Sequence, residues 1–166
     1  AAGELLRNNF NLPRRVNAAE KHDIKLQIDV ETQQLITDLL LKEFPNHALY
    51  GEEGVVGDQS SDHQWVVDPL DGTVNYFYHI PHFCVSIALR FKGEVIVGVI
   101  YDPVRNDLFT ATRGRGAFLN DRRIRVSKRQ HLRDCLIGTG FPFRDGSFLD
   151  TYLAMMREMI TLTAGM

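Results

Sequence analysis

Cysteine is scarce in this chain of 166 residues: Cys84 and Cys135 are the only two, each in an apolar context. That argues against a disulfide-stapled scaffold or a paired-thiolate metal centre and predicts two buried thiols. No apolar run reaches the length needed to span a bilayer, and no secretory leader is visible. A soluble, cytoplasmic protein with no membrane contact is expected. The formal net charge of −2 gives no global pull toward nucleic acid or anionic lipid. The six histidines are scattered without metal-ligand spacing, and His79 and His82, flanking Pro81, read as packing or loop residues. Ser86 lacks recognisable triad partners, which argues against a serine hydrolase. Arg113-Gly114-Arg115-Gly116 has no strand-to-helix context and reads as a turn rather than a phosphate loop. No repeat and no low-complexity linker is present.

What the chain does have is Trp65-Val66-Val67-Asp68-Pro69-Leu70-Asp71-Gly72-Thr73-Val74-Asn75. The apolar run reads as a strand end, and Pro69 predicts that the chain turns there. Gly72 permits a tight backbone, and Thr73 suits the first turn of a short helix. Two carboxylates and several backbone N–H groups would then surround one small volume. Carboxylates suit a hard cation and the N–H groups an anion, which points to magnesium plus phosphate. A plain strand-turn-helix corner would explain most of the same residues. Gly51-Glu52-Glu53-Gly54, also following a short apolar stretch, favours the site, because neighbouring strand ends would bring these acids together.

The length suits one domain with a substantial core, and the composition is that of an ordinary globular protein, with 44% hydrophobic and 24% charged residues. Residues 1–10 fit an amphipathic helix, and residues 16–22, including Lys21, read as a polar loop. A second helix starts with Asp29 at or near its N-cap and buries Leu35, Ile36, Leu39, Leu40 and Phe44. Short strands are expected over residues 47–50 and 64–67, with a loop over 54–61 between them. Strands follow over residues 83–91, 95–101 and 108–112, then a hairpin over 114–126. A strand at 136–138 and a helix over 145–162 complete the pattern. Lys92-Gly93 reads as a hairpin turn. This order predicts an α+β fold with an antiparallel sheet.

The two acidic motifs together resemble the signatures of the inositol monophosphatase family, nearest its bacterial extragenic-suppressor type. The resemblance extends to Pro81-His82-Phe83-Cys84-Val85-Ser86-Ile87-Ala88, Tyr101-Asp102-Pro103-Val104-Arg105-Asn106, residues 110–117 and residues 138–143. It implies a sugar-phosphatase-like layered α/β sandwich, here its N-terminal half, with two helices on the sheet. Residues 1–166 would form the N-terminal metal-binding domain. The chain lacks an initial Met and matches only the family's N-terminal part, so a fragment, or the ordered portion of something longer, is expected.

The resemblance further implies a lithium-sensitive, magnesium-dependent phosphomonoesterase for inositol monophosphates or similar small sugar phosphates, working as a homodimer with two or three ions. Glu52, Asp68 and the Leu70 carbonyl would hold the first ion, Asp68 and Asp71 the second, and Glu52 a weaker third. Thr73 and Asp29 would orient the attacking water, with Asp29 kept ionised at its helix terminus. Gly72 and Thr73 N–H groups would receive phosphate, with Asn75 bracing the loop and Lys21 in support. Asn75 also argues against the nucleotide-phosphatase branch. Three departures stand out: one family aspartate for the second metal has no counterpart, the segment around Lys21 is short, and Leu26 replaces a small hydroxyl residue. Weak magnesium binding and slow turnover by the chain alone are therefore expected.

Residues 113–133 carry eight Lys/Arg against Asp121 alone. A solvated hairpin surface is the simpler reading. The alternative is docking of RNA or a transcription factor, a second role implied by the extragenic-suppressor type.

Overall fold

The computed structural model describes residues 1–13, 16–20, 23–142 and 146–166, with residues 17–20, 23 and 24 described as backbone only. Lys21 lies outside the described residues. Two compact units are present, Ala1–Ile124 and Arg125–Met166.

The first unit is built on an eight-stranded sheet. It opens with helix α1 (Ala2–Asn9), which buries Leu6 completely. Residues 16–20, predicted as loop, form a strand. Strands β1 (Val16–Glu20) and β2 (Asp23–Leu26) pair antiparallel, because backbone pairing within a hairpin needs no long apolar run.

Helix α2 (Gln27–Glu43) follows without a break, with Leu26 as its N-cap residue. Asp29 is therefore the third helical residue and not the cap. The helix buries Ile28, Asp29, Thr32, Gln33, Ile36 and Thr37, a stripe rich in polar groups. Leu39 and Phe44, predicted on the buried face, are exposed. Periodicity of apolar residues misplaced that face because four of the six buried positions are polar.

Strands β3 (Ala48–Gly51), β4 (Gly54–Val56) and β5 (His63–Asp71) come next, followed by the short helix α3 (Thr73–Phe77). The predicted loop over 54–61 thus begins with a strand. An antiparallel meander completes the unit: β6 (Cys84–Phe91), β7 (Glu94–Asp102), β8 (Asp107–Thr112), β9 (Gly116–Leu119) and β10 (Arg122–Ile124). The Lys92-Gly93 turn has φ of +49° and +84°, as a tight hairpin of that twist requires.

The sheet order is β10-β9-β8-β7-β6-β5-β3-β4. All its pairs are antiparallel except β3 with β5. The α+β class holds, with a mixed sheet. Helix α2 packs against β5, and α1 against α2 and β6. Their core joins Leu6, Leu26, Ile36, Leu49, Trp65, Val67, Tyr76 and Phe83. Tyr76 is fully buried and its hydroxyl donates to the Leu6 carbonyl at 2.9 Å, tying α3 to α1.

The second unit holds helix α4 (Leu149–Leu162), preceded by a 3-10 turn (Gly146–Phe148). The predicted strand at 136–138 amounts to one bridge between Leu136 and Gly165. The predicted helix start at Asp145 lies outside the described residues. Among the described residues no helix is long and apolar enough to cross a membrane.

Candidate active site

Parallel pairing of β3 with β5 places Gly51 opposite Val67, and the Glu52 N–H donates to the Val67 carbonyl at 3.1 Å. One residue further along each strand stand Glu52 and Asp68. Glu52 and Glu53 form the two-residue turn into β4, and two adjacent turn residues send their side chains apart. Glu52 meets Asp68, while Glu53 pairs with Lys25 Nζ at 3.6 Å.

Strand β5 does not turn at Pro69 as predicted; it continues to Asp71. A register irregularity between Asp68 and Asp71 frees Pro69 from donating to the ladder. The Leu70 N–H turns in to Asp68 Oδ1 at 3.1 Å. Asp71 closes the strand opposite Cys84, whose thiol donates to Asp71 Oδ2 at 3.6 Å. Both cysteines, predicted as buried thiols, are half-buried.

Gly72 then adopts φ +94°, and an added Cβ would lie 3.0 Å from the His82 carbonyl oxygen. Only glycine combines that left-handed backbone with so close an approach at little cost. Thr73 opens α3 and its hydroxyl donates to the Leu70 carbonyl at 3.0 Å. Asn75 donates to the His82 carbonyl at 2.8 Å, bracing the loop.

Asp29 reaches this region from α2. Its Oδ2 accepts the Leu26 N–H at 2.7 Å, while its Oδ1 is buried without a hydrogen-bond partner. Burial pushes the Asp29 carboxyl up to about 6, against the pull of the Leu26 N–H; the Glu53 and Asp68 charges push the same way, and the Thr73 hydroxyl opposes them. Desolvation outweighs the favourable field of the helix N-terminus on the ionised form. Asp29 is still mostly ionised at neutral pH.

The strand-end acids are perturbed together. Burial, then the Asp68 charge and a hydrogen bond to it, hold Glu52 well above the usual carboxylate range. Burial and the Asp71 charge raise Asp68 as well. The two carboxyls are hydrogen-bonded to one another and each disfavours the other's ionisation, so they titrate as a pair. Burial and the Asp71 charge also push the Cys84 thiol up to about 12, leaving it inert as a nucleophile. At Asp102 burial acts upward, but hydrogen bonds from Arg105 and Val104 outweigh it and hold the carboxyl low. That residue serves its own turn.

The structure thus brings Glu52 to Asp68, Asp68 to Asp71, and Asp29 to Thr73, with the Leu70 carbonyl and Gly72 between. Among the described residues, no group of three or more His, Cys, Asp or Glu side chains is arranged to hold a metal ion. The carboxylates meet in pairs, and Asp68 is common to both. Oxygen donors that repel one another, with a buried carboxylate oxygen lacking a partner beside them, suit a small hard cation in chemistry. Two residues escaped the sequence reading: Gln33, one helical turn after Asp29 on the same buried face, and Lys25, the partner of Glu53. Both meet the acidic turn across twenty or more residues of chain, so local spacing carried no signal for either.

A sequence profile described as the inositol monophosphatase family matches residues 1–157. A protein from Pseudomonas aeruginosa named Nus factor SuhB is 46% identical, over 99% of this chain and 64% of its own length. The crystal structure of extragenic suppressor protein SuhB from Bartonella henselae is 40% identical with a TM-score of 0.91, covering 99% of this chain and 64% of that one. An IMPase from Thermotoga maritima is 34% identical with a TM-score of 0.84, covering 99% and 62%. The chain therefore spans less than two thirds of the length of these relatives.

Proposed function

Because the chain belongs to the inositol monophosphatase family, we propose that it is the metal-binding part of a magnesium-dependent phosphatase for inositol monophosphate or a similar small sugar phosphate. The observation that carries this reading is the meeting of Glu52 with Asp68 at two parallel strand ends, with Asp71 three residues on. Glu52, Asp68, Asp71 and the Leu70 carbonyl would hold magnesium. When bound, the ion supplies charge stabilisation to the phosphate and acidifies water.

The remaining work falls to the chain's own groups. Gly72 and Thr73 present backbone N–H groups to the phosphate oxygens. Thr73 Oγ1 now donates to Leu70, and the neighbouring Asp29 carboxylate is the acceptor toward which that hydroxyl turns when it accepts from water. Asn75 keeps the loop closed around these donors. Two or three ions, lithium sensitivity and a homodimer complete the proposal by family likeness.

A second reading is favoured by one observation. Arg115, Arg122, Arg123 and Arg125 are all exposed, and the Pseudomonas relative carries the name of a Nus factor. These arginines would dock RNA or a transcription factor through phosphate or carboxylate contacts.

Phosphate release from inositol 1-phosphate distinguishes the two. Release that requires magnesium, falls with lithium and survives neutralisation of Arg122, Arg123 and Arg125 is expected. Release indifferent to magnesium would contradict the phosphatase reading. Loss of RNA binding in the arginine variant, with release intact, is what the second reading requires.

A further inference from the structure

The turn that presents Glu52 is held from beneath by one side chain. Gln33 is buried on α2, and its Oε1 accepts the Glu53 N–H at 2.8 Å while its Nε2 donates to the Gly54 carbonyl at 3.2 Å. A carboxamide is the uncharged group that both accepts and donates at this reach. The backbone entering Glu53 and leaving Gly54 is thereby fixed to the helix that also carries Asp29.

Gly51 completes the arrangement. A Cβ there would lie 2.0 Å from Gln33 Oε1, so the carboxamide occupies the space that glycine leaves open. On the other side, the Glu52 N–H is tied to Val67 and the Glu53 carboxylate to Lys25. With Glu53 fastened at both its backbone and its side chain, Glu52 is the acid left facing Asp68.

We propose that Gln33 is a positioning residue for divalent-cation binding: by clamping the turn at residues 51–54 it selects Glu52, and not Glu53, to stand beside Asp68. The inference rests on the metal-site reading above. Outer groups that orient a ligand typically contribute about 10–100-fold to metal affinity, and that is the effect expected here.

The test is a titration of the metal-free chain with Mn2+, following free ion by electron paramagnetic resonance, in wild type, Gln33→Met, Gly51→Ala, the double variant and Asp68→Asn. Gln33→Met should weaken binding roughly 10-fold or more. Gly51→Ala, which pushes the carboxamide off the turn, should do the same even if Gln33→Met folds poorly. The double variant should be no worse than either single one, since both remove one clamp. Amide exchange at Glu53 should quicken in both variants, while Glu52, bonded to Val67, keeps its protection. Wild-type affinity in Gln33→Met, or penalties that multiply in the double variant, would overturn the positioning role and leave the metal site standing. Saturable binding absent from wild type, or unchanged in Asp68→Asn, would defeat the metal-site reading itself, and this inference with it.

Discussion

Asp68→Asn is expected to reduce Mn2+ affinity by at least two orders of magnitude while raising the melting temperature of the metal-free chain. The affinity follows from topology: Asp68 is the shared member of the Glu52 and Asp71 pairs, so its loss breaks both. Such a direct ligand should exceed the roughly 10–100-fold typical of an outer partner. The gain in stability follows from electrostatics. Burial and the Asp71 charge both raise the Asp68 carboxyl, so without a cation its ionised form is a burden on the fold. Asparagine keeps an acceptor for the Leu70 N–H at nearly the same shape. Calorimetry and Mn2+ titration on one preparation check both halves. A variant that lost stability together with affinity would mean that Asp68 is a structural residue.

Asp29→Asn is expected to flatten the pH dependence of stability. The Asp29 carboxyl stands at about 6 in the fold against an ordinary 3.8. Between those values the folded state retains a proton that the unfolded chain has released. Stability from this group is therefore full below pH 3.8, declines as pH rises, and is gone above about 6. Two units correspond to about 3 kcal/mol, an upper bound for a group so nearly enclosed. Metal-free Asp29→Asn should accordingly be the more stable protein at pH 8, with the advantage vanishing toward pH 4. Urea titrations across that range measure it. Parallel profiles for the two proteins would show that Asp29 ionises freely. If Asp29 also accepts the proton pull from Thr73, the same variant should lose about 100-fold or more in magnesium-dependent phosphate release.

Much of this site was readable from the chain because its parts are local. Asp68, Asp71, Gly72 and Thr73 lie within six residues, and a strand end, a positive φ and a helix start follow from their types. Glu52 required one further step, that two strands be neighbours, and their parallel register supplied it. Pro69 misled, because a bulge accommodates it inside the strand where a turn was expected. Asp29 was placed at the cap because a polar residue there satisfies free N–H groups. Tertiary burial of Leu26 took the cap position instead, and Asp29 reaches back to the Leu26 N–H. Gln33 stayed hidden for a related reason: a buried polar residue carries no periodic signal, and its two backbone partners lie twenty or more residues away.

The central claim is that a divalent cation binds between the β3 and β5 strand ends. Paramagnetic broadening of backbone amide signals by substoichiometric Mn2+ tests it at single-residue resolution. The account predicts selective loss of the signals from Glu52, Glu53, Asp68, Leu70, Asp71, Gly72 and Thr73, with their recovery in Asp68→Asn. Broadening spread over the acidic surface, or centred on residues remote from Asp68, would contradict it.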